Sequence, residues 1–218
     1  MTIPPILFRD IHFVVLDKPA GLPVHPGPRG GASIEDCFPL LSKRKDGPWL
    51  AHRLDTDTAG CLVVALRKTP LIQAQACFAE GRASKTYWAV VSEGPESETG
   101  MIDQPLAKHV THDGWTMRAD RKGQPAHTEW TVLGRAPGLA WVELRLLTGR
   151  THQARVHCAL AGWPILGDPI YGPQPPAVDR LHLLARSILL PLDPPVSATA
   201  QPPAHMIDAL LACGYRPT

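Results

Sequence analysis

The chain has 218 residues, 44% of them hydrophobic and 19% charged, a balance that argues against disorder and suits one domain with its own core. Twenty-two Lys and Arg face 20 Asp and Glu, so the net charge is +2 and bulk charge alone excludes no partner and selects none. Any nucleic-acid contact must come from local basic clusters.

No apolar run approaches the roughly 20 residues a membrane-spanning helix needs. The N-terminus lacks a basic segment and carries Asp10 inside its apolar stretch, so neither a membrane span nor a signal peptide is expected. The five cysteines (Cys37, Cys61, Cys77, Cys158 and Cys213) are scattered and never spaced as C-x-x-C. That pattern argues against a zinc knuckle or a disulfide framework and favours a reducing, cytoplasmic setting.

In chain order, residues 11–17 form an apolar run closed by Lys18-Pro19 and then Ala20-Gly21, which predicts a buried strand and a turn. Residues 22–33 hold three prolines and three glycines and predict a loop. Residues 60–66 predict a second buried strand. Thr69 and Pro70 predict a helix start, with Thr69 as cap and Pro70 first in the helix, which then runs to near Gly81. Residues 85–92 predict a strand, and residues 93–125 are polar and turn-rich with little periodicity. Residues 127–133 and 140–147 alternate as strands, with Val142, Leu144 and Leu146 sharing one face of the latter. Residues 152–161 predict a helix with Val156 and Leu160 as its inward pair, stopped by Gly162 and Pro164. An apolar strand over 181–192, an irregular Pro/Ala-rich stretch over 193–204 and a short helix over 207–213 complete the chain. Strands dominate and helices enter irregularly, so the expected fold is α+β: a mixed, largely antiparallel sheet with flanking helices and loops, in a single domain spanning 1–218. No internal repeat is visible.

Three stretches could carry chemistry. His52-Arg53-Leu54-Asp55-Thr56-Asp57-Thr58-Ala59-Gly60 is a polar loop feeding a buried strand, with Asp55 beside Arg53 and two threonines. Alone it reads first as a turn whose Asp bonds its own backbone. Leu147 to His157 ends a strand at a glycine turn and opens a helix with cations. Backbone donors there and Arg150 could hold an anion, or the segment is an ordinary cap. His152 and His157 lie about 140° apart around a helix and do not form a zinc pair. Lys85-Thr86-Tyr87-Trp88-Ala89 places Lys85, Tyr87 and Ala89 on one strand face, where Tyr87 is either core or a stacking surface for a base.

Taken together these stretches identify a family. HRLDTDTAG resembles the HRLDxxTSG signature of RluA-type RNA pseudouridine synthases. KTYWAVV resembles that family's K-x-Y-x-A-x-V strand. TGRTHQARVHCALAGWPILGDPIYG resembles its second long motif, and LDKPAGLPVHPG its N-terminal strand and loop. The motifs occur in the family's order over residues 10–192. Ala59 stands where the signature usually has Ser, Ala154 replaces a larger aliphatic residue, and LHLLARSILLP follows the family's L-H-A strand loosely, leaving Leu183 or Leu184 as the pocket-lining residue. The chain is expected to be a short form without the separate N-terminal S4 RNA-binding module.

The resemblance implies an isomerase that turns uridine in structured RNA, rRNA and/or tRNA, into pseudouridine without metal or cofactor. It implies Asp55 as nucleophile, Arg150 as the cation that keeps that carboxylate ionised, and Tyr87 as the ring that stacks on the uracil. Arg53 fills the space left by a flipped base, at an extrusion cost of a few kcal/mol. His52, Lys85, Thr151, His152 and Arg155 are candidate backbone or pocket contacts. The cations Lys108, Arg118, Arg121 and Lys122, set against Asp113 and Asp120, form either a phosphate-contacting or a solvated loop. A monomer is the expected state. The competing readings are a non-catalytic RNA-binding or RNA-folding factor on the same scaffold, and a hydrolase using Asp55 as general base.

Overall fold

A computed structural model describes residues 2–27, 30–112 and 114–217. In chain order its elements are β1 (Ile6–Arg9), β2 (Phe13–Lys18), a 3₁₀ turn (Ile34–Cys37), α1 (Phe38–Leu41), β3 (Trp49–Leu50), β4 (Ala59–Ala65) and α2 (Lys68–Ala79). There follow β5 (Ser84–Ser92), β6 (Thr99–Asp103), β7 (Leu106–Thr111), β8 (Gly114–Ala119), β9 (His127–Ala136), β10 (Leu139–Leu146) and α3 (Gln153–Leu160). The last elements are β11 (Leu183–Leu190), β12 (Val196–Thr199) and α4 (Ala204–Ala212). The result is the expected mixture of helices with largely antiparallel strands. The chain groups into two compact units, Met1–Lys85 with Leu184–Pro202, and Thr86–Leu183 with Pro203–Thr218.

In the first unit β4 is central, and every one of its residues is buried. A strand covered on both faces reads as a continuous apolar run, which is why GCLVVAL is legible as a strand. β2 lies antiparallel to β4, with Phe13 opposite Ala65 and Lys18 opposite Gly60. β11 runs parallel to β4, with Leu184 opposite Ala59 and Ala185 opposite Gly60. Gly60 has φ +105°, and a Cβ there would sit 2.3 Å from the Ala185 carbonyl oxygen, so only glycine lets the two strands approach this closely. β12, antiparallel to β11, occupies part of the stretch expected to be irregular. Its Pro/Ala-rich flanks hide a strand of only four residues. Helix α2 starts two residues before its expected first residue: Arg67 is the N-cap, not Thr69, and Pro70 sits third. Proline fits there because the first-turn N–H groups have no intrahelical partner.

In the second unit β10 is antiparallel to both β5 and β9, and β6 is antiparallel to β9. Val142, Leu144 and Leu146 are buried on one face of β10, as their alternation predicts. β6 and the β7–β8 hairpin fall in the stretch that showed little periodicity. Most of the hairpin is exposed, so water imposes no apolar alternation on it. Its base is buried: Leu106 and Met117 pack with Ala126, Val156 and Tyr171. In α3 Val156 is buried but Leu160 is 49% exposed, which corrects the expected inward pair. The helix has only eight residues; Gln153 through Cys158 are buried and Leu160 lies at its solvated end. Trp88, Trp141 and Tyr215 meet edge to face, centroids 4.7–5.8 Å apart, and fasten the C-terminal segment that follows α4.

All five cysteines are buried and free. Among the described residues no helix is long and apolar enough to cross a membrane.

Candidate active site

In the first unit, the loop bearing Asp55 joins β3 to β4 and is fastened on both sides of the acid. Upstream, His52 Nε2 accepts the Val63 backbone N–H at 3.0 Å, and the Ala51 N–H donates to the Val63 carbonyl. A ring nitrogen that accepts from an amide carries no proton, so His52 is neutral. Burial, and then the charge of Lys85, lower its pKa from 6.5 to about 4. His52 is therefore a structural acceptor in this fold.

Downstream, the Thr56 carbonyl accepts two bonds, from the Gly21 N–H at 2.9 Å and from Lys18 Nζ at 2.8 Å. Lys18 also donates to the Pro19 and Leu22 carbonyls, at 2.9 and 2.8 Å. Its side chain is completely buried, so three carbonyls replace the water an ammonium normally holds. Burial lowers its pKa from 10.5 to about 8, against the opposing pull of Asp57 and Asp55. The Thr58 N–H donates to the Asp55 carbonyl at 3.2 Å and closes the turn that leads into β4. Asp55 is half-buried and Arg53 exposed. Sequence reasoning missed Lys18; the signal available was a lysine closing an otherwise apolar strand.

In the second unit, Tyr87 lies on β5 opposite Leu144 and is 9% exposed. Arg150 lies in the turn between β10 and α3, where its Nε donates to the Pro125 carbonyl at 3.0 Å. Gln153, buried and likewise missed, organises that turn. Its Oε1 accepts the Arg150 N–H at 3.0 Å and the Thr148 hydroxyl at 2.7 Å. Its Nε2 donates to the His127 carbonyl and the Thr128 hydroxyl, both at 3.0 Å. Thr151 is exposed. His152 is the N-cap of α3, not part of the helix, with φ +54°, a left-handed conformation costing about 1–2 kcal/mol for a non-glycine residue. Its Nδ1 meets the Tyr171 hydroxyl at 2.8 Å, and its ring stacks on Trp115 with centroids 5.1 Å apart.

Arg155 corrects an expectation. It is 2% exposed, and its Nε and Nη2 bond both oxygens of Asp168 at 2.8 and 2.7 Å. Burial alone would raise the Asp168 pKa, but the guanidinium and the Ile170 and Tyr171 N–H groups hold it below 3.8. A guanidinium so enclosed is committed to Asp168 and is not presented to solvent. Leu183 and Leu184 are both buried, and Leu184 packs where Gly60 has no side chain. Lys108, Arg118, Arg121 and Lys122 are all exposed, on or beside the hairpin. Asp113, expected in the same loop, lies outside the described residues. Among the described residues no group of three His, Cys, Asp or Glu is arranged to hold a metal.

A model of the family described as RNA pseudouridylate synthase matches residues 12–160, more than half the chain. An uncharacterized RNA pseudouridine synthase of Zymomonas mobilis is 38% identical over 213 residues, covering 93% of this chain and 95% of that protein. A ribosomal large subunit pseudouridine synthase D of Nitrosomonas europaea is 37% identical over 196 residues, covering 84% of this chain and 55% of its own length. The solved structure of human RNA pseudouridylate synthase domain containing 4 superposes with a TM-score of 0.81 at 30% identity, covering 95% of this chain and 92% of that one. The motifs around Asp55, Tyr87 and Arg150, the pinned loop that carries the acid, and these matches over nearly the whole chain agree: the chain belongs to the RluA-type RNA pseudouridine synthases, isomerases that convert uridine in RNA to pseudouridine.

Proposed function

We propose that the protein isomerises specific uridines in rRNA and/or tRNA in the cytoplasm, acting as a monomer with Asp55 as nucleophile. The observation that carries this reading is the double fastening of the Asp55 loop, by His52 to Val63 and by Lys18 to Thr56. A nucleophile needs a fixed approach, and an acid in a solvated turn needs no such anchorage. The name of the Nitrosomonas europaea relative supports ribosomal RNA as substrate.

In the proposed reaction the N1–C1′ bond of uridine breaks and a C5–C1′ bond forms. The proton on C5 leaves and N1 gains one, so no oxidant, metal or cofactor enters the balance. The target base first swings out of its stack, at a cost of a few kcal/mol. Arg53, exposed and ahead of the acid, fills the vacated space. Arg150 supplies the positive charge the reaction needs, and Tyr87 stacks on the turning uracil, with the C5 proton as a second task.

The test uses RNA labelled with [5-³H]uridine, isolated from cells lacking the protein. Loss of the C5 hydrogen makes tritium release a direct count of turnovers. Wild type releases tritium and Asp55→Ala does not. Equal release by both removes Asp55 from the chemistry, and none from either removes the proposed reaction on that RNA.

A further inference from the structure

The turn that presents Arg150 is held from two sides within the second unit. On one side Gln153 binds the Arg150 N–H and ties the turn to β9 through His127 and Thr128. On the other side stands His152. Its left-handed backbone needs a restraint, because a histidine released from one returns to ordinary φ. The Tyr171 hydroxyl supplies it, meeting His152 Nδ1 at 2.8 Å while accepting the Met117 N–H of β8 at 2.9 Å. Trp115, two residues earlier on β8, stacks on the same imidazole at an interplanar angle of 25°. Tyr171 is itself held: its ring lies beneath Arg155, 5.3 Å away, and its N–H donates to Asp168.

The geometry points to Tyr171 and Trp115 as positioning residues: a latch that clamps His152 to the β7–β8 hairpin and thereby sets the turn bearing Arg150. Beyond the latch the hairpin runs into solvent, with Val110 70% exposed and Lys108 Nζ 4.7 Å from the Trp115 ring. RNA that touches the hairpin therefore bears on the Arg150 turn through two contacts, one polar and one stacked. This inference rests on the proposed role of Arg150.

The experiment compares wild type, Tyr171→Phe, Trp115→Phe and Trp115→Ala in the tritium-release assay, with kcat and KM measured separately. Nitrogen-15 NMR of the RNA-free protein reads the His152 ring in parallel. The direction of the His152–Tyr171 bond depends on the tautomer, and the Nδ1 resonance of wild type reads both the tautomer and the bond. Tyr171→Phe abolishes that Nδ1 signature and lowers kcat between about tenfold and a hundredfold, as misplacement of a catalytic group does. KM stays within about twofold, by the same argument that binding groups are untouched. Trp115→Ala behaves likewise, and Trp115→Phe, which keeps a stacking ring, recovers most of the loss. Should Tyr171→Phe lower stability alone and turn over at the wild-type kcat, or Trp115→Phe match Trp115→Ala, the latch is wrong. His152→Gly guards against misfolding, since glycine adopts the left-handed backbone without strain: a folded variant with full kcat also overturns the latch. Activity lost only in these variants leaves the Asp55 reading intact, whereas a wild type that releases no tritium defeats that reading itself.

Discussion

The Lys18 ammonium and the Thr56 carbonyl meet at 2.8 Å across 38 residues of sequence, joining the end of β2 to the residue after Asp55. Lys18→Met keeps the apolar stem and removes all three donors. Up to three carbonyls then lose a partner, of which Thr56 alone keeps the Gly21 N–H. The expected loss is on the order of 3 kcal/mol, measured by urea unfolding at pH 7, with Asp55-dependent turnover falling as the loop loosens. Lys18→Arg does not restore stability, because a fully enclosed ammonium site has no room for a planar fork. The pH term has a definite sign. The folded pKa of about 8 lies below the unfolded 10.5, so the cost of burying the charge is fully present below pH 8 and is relieved as pH rises toward 10.5.

His52 gives the opposite end of the pH scale. Its folded pKa of about 4 lies below the unfolded 6.5, so it contributes stability above pH 6.5 that is lost as pH falls toward 4. At pH 5 this one group accounts for about 2 kcal/mol. His157 and His182, also lowered first by burial, act in the same direction. Urea unfolding at pH 7.5 and pH 5 measures the sum. In His52→Asn, whose amide oxygen can still accept from Val63, the drop between the two pH values shrinks by about that amount. An unchanged drop shows that His52 does not titrate as its hydrogen bond requires.

Arg155 and Asp168 form a buried, two-bond ion pair, so removing either side strands a charge. Arg155→Ala is expected to lose about 3–5 kcal/mol of stability. In conditions where the variant is folded, the dependence of RNA affinity on salt stays as in wild type. A cation that contacted phosphate would reduce that slope by about one. A reduced slope would return Arg155 to the RNA surface.

What the sequence made legible follows burial. β4 is covered on both faces and β10 on one, and both left the apolar pattern their environment demands. The β7–β8 hairpin left none, because eight of its twelve strand residues are exposed to water, and β12 is too short for a pattern among prolines. The site divides in the same way. Asp55, Tyr87 and Arg150 stand in long motifs and could be picked out by resemblance. Lys18 and Gln153 stand in quoted motifs too, but a lysine or glutamine in sequence looks solvated, and only the fold reveals the carbonyls and amides each serves. Arg155 fails for the converse reason: its partner Asp168 is 13 residues away, across a turn whose path the sequence does not disclose.

The central claim is that Asp55 performs the isomerisation. The most direct measurement is a transcriptome-wide pseudouridine map of a strain lacking the protein, complemented with either wild type or Asp55→Ala at matched protein levels. Wild type is expected to restore the sites that disappear, and Asp55→Ala to restore none of them. Restoration of the same sites by Asp55→Ala would contradict the account.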